Sequence, residues 1–307
     1  LEHVPSLFLH LMIYNFEMKN IIFQVNGGIG KSIMATAVCR AIKKAYADYN
    51  LIVISGYPEV FIGNPNVFRV YRPGMAPYFY DDFIRKDEVV FFCDEPYLSK
   101  GYLSKTKHLT EAWCDVLNVK YDGFKPEIFL NPIEITKTKI QSPNGKPVLM
   151  FQPFGGGSKE VQYSWNRDIP PHQAQMIANT LGQKYHVVQI CREDQIKLQN
   201  VQHIHAPFRD LFGLILNSQA RLGIDSFMQH ASAAFSLDTT VCWITNKPTV
   251  FGYTKHKNVF PDKKLKVVNN CTIEGYIEEY DFSGHRVHDY PYSTPDVFDL
   301  SEVIKNF

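Results

Sequence analysis

The feature that most constrains this chain is a local pattern that occurs twice: an apolar run, a glycine-rich loop, then a helix-patterned segment. The first copy is Ile21–Ser32, IIFQVNGGIGKS, followed by Ile33–Tyr46, where Ile33, Ala37, Ala41 and Ala45 recur at helical spacing. Asn26–Gly30 holds three glycines in five residues, and glycine lets a backbone turn sharply or approach a ligand closely. The second copy is the run Pro147–Gln152 (PVLMFQ), the loop Phe154–Ser158 (FGGGS) and the helix-patterned Pro171–Leu181. A strand, a tight loop and a helix, repeated, predict two α/β halves, each built on a parallel sheet.

The remaining segments fit that division. Leu51–Ser55 (LIVIS), Val67–Tyr71 and Val89–Cys93 (VVFFC) read as strands of the first half, Pro58–Phe61 as a short helix, and Leu109–Val119 as an amphipathic helix. Tyr185–Ile190, Val201–Ile204, Ala220–Ile224 and Thr239–Ile244 read as strands of the second half, with Phe208–Asn217 and Met228–Leu237 as its helices. The polar stretch ending in Ser142-Pro143-Asn144-Gly145 is the expected boundary. The expected domains are therefore 21–145 and 146–294, with 295–307 as a terminal helix returning to the first half. Residues 1–20 form an N-terminal extension. Leu1–Glu17 reads as extraneous or as a loose extension, with Met18 as a candidate start.

Composition limits the function classes. A net charge of +1 gives no reason to expect nucleic acid or an anionic membrane as the main partner. No run is long enough to span a membrane, and the N-terminal residues lack the basic segment of a secretory signal. Peripheral membrane contact is left open. The six cysteines are scattered without a Cys-x-x-Cys pair, which favours reduced thiols and a cytoplasmic setting.

The first glycine loop admits two readings. A phosphate loop of the common kind needs Gly where this chain has Val25. The variant of partitioning-type ATPases needs Lys where it has Asn26. A P-loop-like NTPase or kinase using Asn26–Ser32 is thus one alternative. The duplication is hard to fit to a single P-loop domain.

From about Ile21 to Tyr253 the order of features resembles GT-B glycosyltransferases of the lipopolysaccharide heptosyltransferase type, glycosyltransferase family 9. The resemblance runs through GGIGKSIMATAVCRAIKKAY, EVFIGNPNVFRVY, HLTEAWCDVLNV, PFGGGSKEVQYSWN and TTVCWITNKPTVFGY. It is most specific in GIDSFMQHASAAF. It implies two Rossmann-like domains facing across a cleft. It implies transfer of a hexosyl or heptosyl unit from a nucleotide-sugar donor to a hydroxyl of a glycan or glycolipid acceptor. The donor side would be Gly155, Gly156, Gly157, Ser158 and Lys159, together with Asp225, Ser226, Gln229 and His230. The acceptor-side loop would be Asn26, Gly27, Gly28 and Gly30. No Asp-x-Asp motif is evident, so no metal and no cofactor are expected. The leaving diphosphate would be met by backbone amides, helix ends and cations.

The sequence departs from the family at two positions. The family carries an Asp just after the first glycine loop, taken to be the base that activates the acceptor; here that position is Lys31. The family's Lys shortly before the Trp that matches Trp165 falls at Tyr163, with Lys159 a substitute from the loop. Asp94 and Glu95, at the end of the buried run Val89–Cys93, become the base candidates, and Lys31 a binder of an acidic acceptor or of phosphate. Glu59 is a weaker base candidate. A GT-B-fold binding protein without a base is the non-enzymatic alternative. Plainer roles stand beside these: Asp225 as a helix cap, His230 as a core histidine, His203 and His205 as a metal pair without a third ligand, and Tyr78, Phe79, Tyr80 and Phe83 as packing or as acceptor contacts.

Overall fold

The computed structural model describes residues 19–85, 88–143, 145–155, 163–266, 290 and 292–307. The first half contains β1 (Lys19–Val25), α1 (Ile29–Ala45), β2 (Asn50–Ser55), β3 (Arg69–Tyr71), α2 (Phe79–Phe83) and β4 (Glu88–Phe92). It continues with α3 (Lys100–Leu103), α4 (Leu109–Val116) and α5 (Pro132–Lys137). The second contains β5 (Val148–Gln152), α6 (Pro171–Leu181), β6 (His186–Ile190), β7 (Gln202–Ile204), α7 (Phe208–Asn217), β8 (Ala220–Ile224) and α8 (Phe227–Ala234). Then follow β9 (Thr240–Cys242), α9 (Pro248–Phe251), β10 (Lys257–Val259) and α10 (Leu300–Ile304).

Each half is organised on a parallel sheet. The first has four strands in the order β3-β2-β1-β4, and the second has six in the order β10-β9-β8-β5-β6-β7. The central strands are buried on both faces because helices cover both: β5 is buried at every residue, and β1 from Asn20 to Phe23. The strand order reverses between β1 and β4 in one sheet and between β5 and β8 in the other. Beyond the carboxyl ends of strands at such a reversal, an open α/β sheet leaves a crevice for ligand.

The helices follow their sequence signals. α1 starts directly after Gly28 and ends with Lys43 and Lys44 in its last turn, where cations suit the carbonyl end. In α7 the buried Leu211, Phe212, Leu214 and Ile215 form one apolar stripe. α5 was not expected from apolar periodicity; a capping box creates it. Asn131 accepts from the Glu134 amide at 2.9 Å and Glu134 from the Asn131 amide at 2.8 Å, with Pro132 in the first turn.

One apolar core runs through both halves, from Ile21, Phe23 and Trp113 to Met150, Phe212 and Met228. α1 packs on α8, and the approach at Gly30 is tight: a Cβ there would lie 3.0 Å from Cδ2 of His230. Lower down, Arg209 of α7 donates to Glu134 (2.6 and 2.8 Å), to the Phe129 carbonyl (2.7 Å) and to the Glu59 carbonyl (3.1 Å).

The C-terminal segment departs from expectation. It packs on the second half, not the first. Val297, Phe298 and Val303 enter the core formed by Leu149, Phe151 and Ile177, and α10 lies on α6. The Gln173 side chain donates to the Phe298 carbonyl (2.8 Å) and accepts from the Val297 amide (3.0 Å). The outer face of the second sheet needs this cover, and the segment's apolar residues supply it. Among the described residues no helix is long and apolar enough to cross a membrane.

Candidate active site

The two strand-order reversals open onto one cleft. Its wall from the first half is the start of α1, Gly28–Lys31, with Tyr57, Tyr97 and Tyr102. Its wall from the second half is Arg167, Asp225, Ser226, His230 and Asn246. The cleft holds about 380 Å³ and leads, past Ile29, Tyr57, Ser226 and Phe227, into a second cavity of about 550 Å³. That second cavity lies beyond the carboxyl ends of β5, β6 and β7 and is mainly apolar, with Phe154, Ile190, Cys191 and Phe208 in its walls and Gln195 and His205 among its polar groups.

Of the expected acceptor-side loop, Asn26, Gly27 and Gly28 are exposed, and Gly28 and Gly30 line the cleft. Lys31 turns inward. Its side chain is 4% exposed, its Nζ pairs with Oε2 of Glu95, and it lies 4.8 Å from the ring centroids of both Tyr97 and Trp113. Burial lowers the Lys31 pKa, and the hydrogen bond and charge of Glu95 work against that shift. Asp94 behaves differently. Its side chain is exposed, and its backbone carbonyl accepts from Trp113 Nε1 at 3.1 Å. Glu59 pairs with Arg72.

On the second half, Asp225 directly follows β8 and is held by two amides: Gln229 Nε2 donates to Oδ1 and Asn246 Nδ2 to Oδ2, both at 2.6 Å. Burial raises its pKa, opposed by Asn246, by the Arg167 charge and by Gln229. Gln229 is itself fully buried, so it acts by orienting Asp225. Ser226 begins α8, and its hydroxyl accepts from Gln152 Nε2 at 3.0 Å. The ring of His230 is buried, with Nδ1 2.8 Å from the Tyr253 hydroxyl. Burial, with His108 and His256 nearby, pushes its pKa down to about 3, so the imidazole is neutral.

Gly155 ends the described part of the second glycine loop; Gly156, Gly157, Ser158 and Lys159 lie outside the described residues. Asp168 holds the two ends of that loop, accepting from the Gly155 amide at 2.8 Å and the Ser164 amide at 2.9 Å. The Gly155 carbonyl accepts from Gln195 at 2.6 Å. His203 and His205 do not act together: His203 Nε2 meets the Leu198 carbonyl at 2.8 Å, whereas His205 lines the larger cavity. Phe79 and Phe83 pack with Tyr71, while Tyr78 and Tyr80 are 77% and 61% exposed.

No protein-family model matches this sequence, and no curated protein sequence matches it. Solved structures do. A family 9 glycosyl transferase from Veillonella parvula DSM 2008 superposes with a TM-score of 0.58 at 12% identity, covering 79% of this chain and 85% of that one. The E. coli ADP-heptose lps heptosyltransferase II gives 0.54 at 13% identity, over 79% and 90% of the two chains. The E. coli heptosyltransferase WaaC with ADP gives 0.52 at 9% identity, over 79% and 93%. The chain has the GT-B fold. Its two parallel sheets are the two Rossmann-like layers of that fold, and the cleft lies between them.

Several residues of the GT-B cleft were not singled out from sequence. Tyr57, Tyr97, Tyr102, Arg167 and Asn246 fall in segments without periodicity, as does the buried Asp168 next to Arg167 in sequence. For Arg167-Asp168 a signal existed: two opposite charges one residue before Pro170-Pro171, where α6 begins, and downstream of a glycine loop. The larger cavity had none, since it is assembled from the ends of three strands.

Proposed function

We propose that this chain is a glycosyltransferase that moves a sugar from a nucleoside diphosphate to a hydroxyl of a glycan or glycolipid. The observation that carries the reading is the meeting of the two sheet reversals on one cleft, with an apolar cavity continuing from the second. The base and ribose would enter the larger cavity, past Phe154 and Phe208. The diphosphate would lie at the start of α8, where the helix dipole favours an anion. The sugar would then face Lys31 and Glu95. The solved E. coli protein crystallised with ADP and the heptosyltransferases of similar fold support an ADP-type donor as the first to test.

In the proposed reaction the acceptor oxygen forms a bond to the anomeric carbon while that carbon's bond to phosphate breaks. The electron pair leaves with the diphosphate. The acceptor proton passes to a carboxylate, and Glu95 is the one we assign. The buried Lys31, which pairs with it, would orient that carboxylate beside Tyr97. The same pairing favours the second reading, a binding protein in which Glu95 is permanently engaged. A titration with ADP, GDP and UDP, followed by an assay for sugar-nucleotide turnover with glycan acceptors, separates them. Binding with turnover supports the enzyme, binding without turnover on any acceptor supports the binding protein, and no binding removes both.

A further inference from the structure

The acceptor side of the cleft is aromatic. Tyr97, from the turn Pro96–Leu98, and Tyr102, from α3, line it together with Phe251 of α9. Tyr97 and Tyr102 meet edge to face with ring centroids 5.0 Å apart, and Tyr102 meets Phe251 at 6.2 Å. All three rest on the buried Met34, Leu109 and Val250, and each is itself only half-buried. Among the described residues neither tyrosine hydroxyl has a hydrogen-bond partner.

The charges around this wall are balanced. Lys31, which the sequence offers as the contact for an acidic acceptor, is committed to Glu95, and its side chain is 4% exposed. Its ammonium also lies 4.8 Å from the Tyr97 ring centroid, so the cation is already engaged by the wall itself. On the other wall the Arg167 charge acts on Asp225, and the buried His230 is neutral. Burial raises the Tyr102 pKa and the Asp225 charge adds to the rise, which puts Asp225 within electrostatic reach of the aromatic wall. An anion set against Tyr97 and Tyr102 would lose its hydration and find no uncommitted cation from the first half.

We infer that the acceptor unit held against Tyr97, Tyr102 and Phe251 is an uncharged sugar, not an acidic or phosphorylated one. The inference rests on the glycosyltransferase reading of the cleft. A pyranose ring presents C–H groups on its faces and hydroxyls around its rim. An aromatic wall covers the first, and tyrosine hydroxyls, each able to donate and to accept, meet the second. An acidic acceptor would instead set a second anion near Glu95, the carboxylate assigned to take the proton, and like charges at close range disfavour each other's ionised form.

Saturation-transfer NMR on the full chain, in the presence of whichever of ADP, GDP and UDP it binds, tests this. The probes are matched methyl glycosides: glucoside against glucuronide, galactoside against galacturonide, and mannoside against its phosphate ester. At least one neutral member should bind about tenfold more tightly than its charged counterpart. Tyr102→Ala should weaken that sugar by about tenfold while nucleotide affinity stays within about twofold of wild type. Tyr102→Phe should lose less, because the ring remains. Charged members that bind as tightly as the neutral ones would overturn the inference and leave the donor-site reading standing. So would a wild type that binds nucleotide and none of the sugars, or a Tyr102→Ala variant that holds the neutral sugar within about twofold. Equal losses of sugar and nucleotide in Tyr102→Ala would also overturn it, since they indicate a merely structural role. Failure of wild type to bind any of the three diphosphates would overturn the donor-site reading and the inference together.

Discussion

Lys31 and Glu95 form an ion pair across the base of the cleft, although 64 residues separate them in sequence. Lys31 comes from the first turn of α1 and Glu95 from the loop after β4, so the pair spans the strand-order reversal of the first sheet. A carboxylate thus stands beside the position where a base was missing. It is delivered by the neighbouring strand. Trp113 underlies both: its indole N–H fixes the Asp94 carbonyl, and its ring faces Lys31 Nζ.

This arrangement distinguishes two adjacent carboxylates. Glu95→Gln should lower turnover by about 100-fold or more, the usual scale of general-base catalysis, with donor affinity retained. Asp94→Asn should leave turnover near wild type, because Asp94 contributes its backbone carbonyl and its side chain faces solvent. Steady-state kinetics on any accepted glycan would check this. A large loss in Asp94→Asn with none in Glu95→Gln would reverse the assignment.

Arg209 and Glu134 are 13% and 16% exposed, and they join α7 to α5 across the junction of the halves. The guanidinium holds Glu134 well below the usual carboxylate range, at about 2. Arg209→Met removes the guanidinium from that carboxylate, which keeps only the Asn131 amide, and from two backbone carbonyls. Breaking a buried pair from one side costs about 3–5 kcal/mol, and partial exposure of both groups puts this variant at the lower end. Urea unfolding would measure it. A loss below about 1 kcal/mol would mean that the pair behaves as a surface bridge.

Stability should also depend on pH in a particular window. His108 of the first half and His230 and His256 of the second surround the Tyr253 ring, with centroids 5.6, 5.6 and 5.2 Å from it. Burial lowers their pKa values to about 4, 3 and 4 from 6.5. A folded pKa below the unfolded one means that the unfolded chain binds more protons, so stability is complete above about pH 6.5 and is lost as pH falls toward about 4. The urea midpoint should drop steadily between about pH 7 and about pH 4.5. His256→Phe should flatten part of the drop, since both His256 ring nitrogens are buried without a hydrogen-bond partner. A midpoint independent of pH over that range would show that these rings reach solvent.

Much of this architecture was readable before any coordinates. Phe208–Asn217 and Ala220–Ile224 have the bounds that their apolar patterns predict, because α7 and β8 each bury a continuous stripe or run. The two glycine loops likewise announce two sheets. Contacts between segments far apart in sequence were not readable. The Lys31–Glu95 pair depends on β1 and β4 being neighbours, a fact of strand order that no local pattern carries. The direction taken by residues 295–307 depended on which sheet face lacked cover, and apolarity alone could not say. α5 was legible in principle from Asn131-Pro132-x-Glu134, a capping signal independent of periodicity.

The most direct measurement is a crystal structure of the full chain soaked with ADP, GDP or UDP, whichever calorimetry shows to bind. We predict the diphosphate at the start of α8, beside Ser226, with the base in the cavity lined by Phe154, Ile190 and Phe208. A diphosphate held instead by Asn26–Ser32 alone, with the second-half cavity empty, would contradict a GT-B donor site and return the chain to the phosphate-loop enzymes.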